Sequence, residues 1–155
     1  MSNDRPLGMG SVIAIDPGAK HTGFAVADAL RISVEPLDTF HGDGDSDAML
    51  DHVQGLVDER TVSAILVGLP LHQDRKESER SIAARALADR LRARFPKLRI
   101  ILRDEHLTTK EAEAQLYEAG YSGKEMRDLS DGWAAKVLLQ EWIRVGEPLG
   151  DPSAD

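Results

Sequence analysis

The sequence predicts a mixed α/β fold, a five-stranded sheet with helices packed on it. Three observations carry this. Three strand-like segments follow one another within the first 41 residues, with no space for helices between them, which sets out an antiparallel meander. Beyond residue 47 helical and strand periodicities alternate, so the later strands need crossovers and run parallel. Val12-Ile13-Ala14-Ile15 and Ala64-Ile65-Leu66-Val67 are unbroken apolar runs, the mark of strands covered on both faces.

The elements follow in order. Val12 to Ile15 is a strand closed by the turn Asp16-Pro17-Gly18, Gly23 to Asp28 is its hairpin partner, and Arg31 to Phe40 is a third strand. A Gly/Asp-rich loop spans His41 to Asp47, after which Leu50, Val53, Leu56 and Val57 recur at helical spacing. The second apolar strand, 64–68, is stopped by Leu69-Pro70. Between Ser78 and Phe95, Ala83, Leu87, Leu91 and Phe95 fall every four positions, and Ile82 and Ala86 widen the stripe into an amphipathic helix with arginines opposite. Leu98 to Leu102 is a further strand, ending at Arg103-Asp104-Glu105. Thr108 and Glu111 have capping-box spacing for a helix that Gly120 ends. Ala134, Val137, Leu138, Trp142 and Val145 mark a last helix beginning near Ser130, which puts Asp131 in its first turn. Trp133 and Trp142 lie about half a turn out of phase, so they form no single stacking stripe and at least one belongs to the core. Residues 1–146 are expected to form one domain and 147–155 a flexible tail.

Composition narrows the function. The 155 residues suit a single core, and 41% hydrophobic residues with 13 glycines are ordinary for a globular domain. No apolar run approaches the roughly 18 residues of a membrane helix. The opening Met1 to Pro6 lacks a signal-peptide core, so a cytosolic protein with no membrane partner is expected. Without cysteine there is no disulfide, thiolate metal site or thiol nucleophile. The formal charge of −8 argues against a polyanionic partner, yet it is unevenly spread. Residues 75–103 hold ten basic side chains and three acidic ones, so a basic surface for nucleic acid is compatible with an acidic bulk. Arg75, Lys76, Arg80 and Arg85 are the substrate-binding candidates of that stretch. A solvated arginine face explains the same charge pattern.

Chemistry concentrates in acids placed where elements end. There is no Walker-type phosphate loop, Gly8-Met9-Gly10 is not a dinucleotide fingerprint, and His21, His41, His52, His72 and His106 lack the spacing of a zinc site. Asp16 ends the first buried strand, Glu105 follows the last, and Asp131 opens the final helix. Singly, Asp16 fits a turn former and Asp131 a helix cap. Jointly they reach the carboxyl ends of parallel strands, where open α/β sheets bind ligands. Three carboxylates meeting there would repel one another unless a cation sat among them, and hard oxygen donors select Mg²⁺ or Mn²⁺. Such ions serve attack of water on phosphodiesters. Lys20 and His21, just beyond Asp16, are placed to meet a phosphate oxygen, and Thr108-Thr109 to donate at a helix start.

Ile15-Asp16-Pro17-Gly18-Ala19-Lys20-His21-Thr22-Gly23, Val67-Gly68-Leu69-Pro70-Leu71, Asp104-Glu105-His106-Leu107-Thr108-Thr109 and Ser130-Asp131-Gly132-Trp133-Ala134-Ala135 occur in that order, and together they resemble the successive signatures of the YqgF/RuvX family. The match runs from about residue 12 to 143. The resemblance implies a ribonuclease H-like fold and a metal-dependent nuclease, described both as a Holliday junction resolvase and as the enzyme that matures the 5′ end of pre-16S ribosomal RNA. It implies Asp16, Glu105 and Asp131 as the catalytic, metal-holding triad. The chain departs from the family at His21, where Arg is frequent, and at Asp74-Arg75-Lys76, where a glycine-containing turn is usual. Asp128, one helical turn before Asp131, resembles the paired aspartates on the last helix of junction resolvases and is a fourth candidate ligand. Asp104 competes with Glu105 by proximity, although neighbours on a strand face opposite ways. Such a nuclease is expected to act as a monomer or homodimer, junction cleavage favouring the two-fold dimer. Of the other readings, an actin-like phosphotransferase needs a second lobe that 155 residues do not hold. A silent module docking on nucleic acid, ribosome or transcription machinery would have no use for three acids.

Overall fold

The computed structural model describes residues 10–70, 78–105 and 108–150, with the backbone alone for 108–111, 127 and 128. Its strands are β1 Ser11–Asp16, β2 His21–Ala27, β3 Val34–His41, β4 Val62–Leu69 and β5 Arg99–Asp104. Its helices are α1 Asp47–Asp58, α2 Glu79–Arg94, α3 Thr108–Glu118 and α4 Gly123–Arg144. They form one five-stranded sheet in the order β3-β2-β1-β4-β5. The first three strands pair antiparallel, and β4 and β5 run parallel to β1, as the meander and the crossovers require.

Alternation along the strands divides the side chains between two cores. Ile13, Ile15, Phe24, Ile65, Val67 and Leu102 face α1 and α2. Val12, Ala14, Ala25, Ala27, Ala64, Leu66 and Ile101 face Ala135, Leu138, Leu139 and Trp142 of α4. The second face is built largely from alanines, so α4 lies close on the sheet. That closeness brings a polar residue of α4 over the end of β1.

Two expectations are corrected by helical geometry. The buried stripe of α2 is Ser81, Ala84, Leu87, Ala88 and Leu91, continued by Phe95, at i, i+3, i+4 spacing. A strict four-residue repeat drifts around a 3.6-residue helix, so Ala83 and Ala86 are exposed and Ile82 is 61% exposed. The last helix starts not near Ser130 but at Gly123, after Ser122, and runs 22 residues. Nothing between Lys124 and Leu129 breaks a helix, so Asp131 stands in mid-helix and caps nothing. Gly120, at φ +97°, follows the end of α3 as expected.

At the N-terminal end of β1 a clasp closes the molecule. Arg31, at φ +60° in the β2–β3 turn, donates from Nη1 to the carbonyls of Gly10, Asp28 and Ala29 at 2.9, 3.0 and 3.2 Å. Its Nε and Nη2 donate to Glu147 at 3.3 Å. Trp142 Nε1 donates to Pro148 O at 2.8 Å, so the first residues beyond 146 are held to the body.

Candidate active site

The opposite end of β1 gathers acids. Asp16 is the last residue of β1 and pairs across the hairpin with Gly23, so it points to the α4 side like Val12 and Ala14. Glu105 follows β5 directly, its N–H donating to Leu69 O at 3.2 Å. Its side chain turns onto the same side and is only 8% exposed.

Two glycines make this approach possible. A Cβ at Gly68 would stand 2.5 Å from Glu105 Oε2, so the carboxylate occupies the space a side chain on β4 would fill. A Cβ at Gly23 would overlap the Asp131 carbonyl, so α4 rests on β2 at this point and carries Asp131 beside Asp16. Composition around the triad misses both glycines. A glycine inside an otherwise apolar strand is nevertheless a readable sign of close approach.

The electrostatics follow from crowding. Burial pushes the Glu105 carboxyl up to about 10, helped by its hydrogen bond and charge contact with Asp16, while Arg80 opposes. Asp16 is also raised, first by burial and further by Asp131, against the hydrogen bond from Glu105 and the charge of Arg80. Both carboxyls are thus raised together, and Glu105 keeps its proton well above the usual carboxylate range because the crowded edge resists two negative charges at once. An oxygen-only donor pair, with Glu105 buried and Asp16 half-buried, that retains a proton to limit its own charge fits a hard divalent cation, which would replace that proton.

The remaining candidates fall in different places. Arg80 is beside the acids, its Nη2 donating to Pro17 O at 3.3 Å. Asp131 raises Asp16 by its charge, yet among the described residues no group of three or more acid or imidazole side chains is close enough to hold one ion. Lys20 and His21 lie at the same edge, both exposed, and His21 Nδ1 is 2.8 Å from His41 Nδ1, one ring donating to the other. Arg85 is half-buried farther along α2. Arg75 and Lys76 lie outside the described residues, as do the side chains of Asp128, Thr108 and Thr109. Asp104 is half-buried and raises Glu105 by its charge. Trp142 is core, whereas Trp133 is half-buried under the Lys136 ammonium, 4.1 Å from its ring centroid. Much of the arginine face is engaged with acids: Arg90 with Asp45 and Asp47 at 3.0 and 2.7 Å, Arg94 with Asp51 at 3.4 Å, and Arg92 with Asp89 at 3.0 Å.

A family model described as "RuvX: Holliday junction resolvase" matches residues 10–145. The chain belongs to the RuvX family. A relative from Dechloromonas aromatica named "Putative pre-16S rRNA nuclease" is 37% identical over 135 residues, 87% of this chain and 91% of the relative. Among solved structures, this RuvX chain is similar to T. thermophilus RuvC in complex with Holliday junction substrate (TM-score 0.55, 17% identity, covering 88% of this chain and 96% of that one). It is also similar to the fowlpox virus Holliday junction resolvase (TM-score 0.55, 11% identity, covering 87% and 99%). At those identities the likeness is one of fold, a mixed five-stranded sheet of ribonuclease H-like type. No described helix of this RuvX protein is long and apolar enough to cross a membrane.

Proposed function

We propose that this chain is a divalent-cation-dependent nuclease that hydrolyses phosphodiester bonds in structured nucleic acid, pre-16S ribosomal RNA leaders or branched DNA, using Mg²⁺ or Mn²⁺. Asp16 and Glu105 hold the cation, Asp131 completes the catalytic set, and Asp128 is a further ligand candidate. The observation that carries this is the convergence of acids at the carboxyl edge of the sheet, where Glu105 is buried in the space left by Gly68 and Gly23 lets α4 carry Asp131 beside Asp16. A purely structural site would lose stability by keeping two acids there.

When bound, a divalent cation supplies Lewis-acid charge for the attacking water and for the negative charge developing on the phosphoryl oxygens. The chain does the rest. Glu105 gives up its proton so that both carboxylates become donors. Arg80, beside Pro17, offsets part of the acid charge and presents the remainder of its guanidinium to substrate. Lys20 and His21 contact phosphates flanking the scissile bond, and Arg75, Lys76 and Arg85 extend the track. The alanine-lined seat of α4 keeps Asp131 in register with Asp16.

The test is a parallel assay on a four-way DNA junction and a pre-16S leader, each with Mg²⁺ and Mn²⁺. Cleavage of either, lost in Asp16→Asn, Glu105→Gln and Asp131→Asn, is the expected outcome. A variant that cleaves like wild type under both ions removes its residue from the set.

A further inference from the structure

A concavity lies across the Pro17–Ala19 turn from the acids. It has a volume of about 290 Å³ and is lined by Pro17, Gly18 and Ala19 after β1, Asp43 to Asp45 before α1, and Glu79, Arg80, Ala83 and Leu87 of α2. That volume is near the lower end of sites for small organic groups.

Its walls are preformed. Gly42 N–H donates to Lys20 O at 2.8 Å and Gly44 N–H to Ala19 O at 3.3 Å, which binds the two loops together. A Cβ at Gly44 would lie 2.6 Å from Gly18 O, so only glycine permits that approach. Asp43 Oδ1 accepts from Asp45 N–H at 2.9 Å, and Ser46 caps α1, fixing the far rim. The α2 wall explains a residue the core leaves over: Ala83 does not reach the sheet, and its methyl group lines this cavity.

The lining chemistry selects the occupant. Asp43, Asp45 and Glu79 outnumber Arg80, and Arg80 already spends one nitrogen on Pro17 O, so a phosphate would meet net negative charge. Asp45 is occupied by Arg90 at 3.0 Å. Asp43 and Glu79 remain as exposed acceptors in a lining that Pro17, Ala83 and Leu87 make apolar. Apolar lining beside carboxylate acceptors suits a heteroaromatic ring with exocyclic N–H donors. Arg80 joins the two sites, since it lines the cavity and bonds the carbonyl next to Asp16.

We propose that this cavity is a base-binding subsite that takes one unpaired, amino-bearing nucleobase (guanine, adenine or cytosine rather than uracil) from the strand whose backbone crosses the acids. The subsite rests on the nuclease reading for its substrate class and adds a specificity element to it. It makes the protein a reader of a single extruded base next to the cut.

Binding tests it without requiring turnover. Labelled oligouridine hexamers carrying one central guanine, adenine or cytosine are titrated by fluorescence anisotropy against oligouridine itself, in Ca²⁺. Wild type should bind the best amino-bearing hexamer about tenfold more tightly than oligouridine, the effect of one charge-assisted hydrogen bond. Ala83→Phe, which fills the cavity from an exposed helical position, should erase the preference. Asp43→Asn/Glu79→Gln, conservative in shape, should erase it as well while oligouridine affinity holds or rises. Both should keep the wild-type thermal shift with Mn²⁺, which certifies their fold and acid site. Equal affinity of wild type for all hexamers, or a preference that survives in Ala83→Phe, overturns the subsite. A preference lost in both variants from a protein that cleaves neither junction nor leader leaves the subsite standing and removes the nuclease reading.

Discussion

The two ends of β1 bury charge in opposite ways. At its start, Arg31 is surrounded by three carbonyl oxygens and Glu147, so each charge meets its complement and the backbone is closed into a clasp. At its end, Asp16 and Glu105 are both acids, held together by packing and by the space at Gly68, with Asp131 adding to the repulsion. The first arrangement stabilises the fold as it stands. The second is stable only with a proton or a cation between its members, which is what a site built for an external ligand looks like.

The largest expected effect breaks the acid end alone. Glu105→Gln and Asp16→Asn should each reduce cleavage by about 10² or more, the scale at which loss of one electrostatic contributor to the transition state is felt. Their combination should cost little beyond the worse single change, because the acids act as one unit. Steady-state kinetics on the junction and leader substrates, with circular dichroism to certify folding, checks this.

Cation binding sharpens the contrast. Mn²⁺ at about one hundred times its Kd should stabilise wild type by about 2.7 kcal/mol, measured by thermal melting, and should leave Glu105→Gln nearly unmoved. Breaking the clasp should do the reverse. Arg31→Met leaves Glu147 and the Gly10 and Ala29 carbonyls without the guanidinium, while Asp28 O keeps the backbone N–H of residue 31, and a loss of about 2–3 kcal/mol is expected. Urea denaturation measures it, with cleavage at permissive temperature unchanged.

The pH dependence separates the ends more gently. The folded Glu105 carboxyl is raised from 4.5 to about 10, so the folded protein holds a proton that the unfolded chain releases. Its stability is fully present below 4.5 and declines as pH rises toward about 10. Between pH 5 and 9 the cation-free wild type should therefore lose stability relative to Glu105→Gln, and the difference should close when Mn²⁺ is added. The smallest change belongs to the arginine face. Arg90→Gln removes exposed pairs with Asp45 and Asp47 and should cost no more than about 1 kcal/mol.

Much of this was legible before the structure, and for identifiable reasons. The antiparallel meander and the parallel direction of the later strands follow from spacing, because short links make hairpins and helical crossovers return the chain in the same direction. Asp16 and Glu105 stood out because strand ends are where chain direction and chemistry coincide. Ala83 and Ile82 look like core in a four-residue repeat, and the 3.6-residue pitch of α2 turns them outward. Ser130 before Asp131 reads locally as a helix start, whereas α4 runs back to Gly123 because no residue from Lys124 to Leu129 breaks it. The roles of Gly23 and Gly68 depend on which segments meet across the sheet, which local sequence does not record. The proton that Glu105 retains beside Asp16 depends on burial, which exists only after folding.

The central claim is that a cation takes the place of that proton. Titration calorimetry of Mn²⁺ binding at pH 7, repeated in buffers of different ionisation enthalpy, counts the protons released. About one proton per wild-type molecule, and close to none from Glu105→Gln, is the predicted result. Binding by wild type with no proton release, or equal release from the glutamine variant, would contradict it.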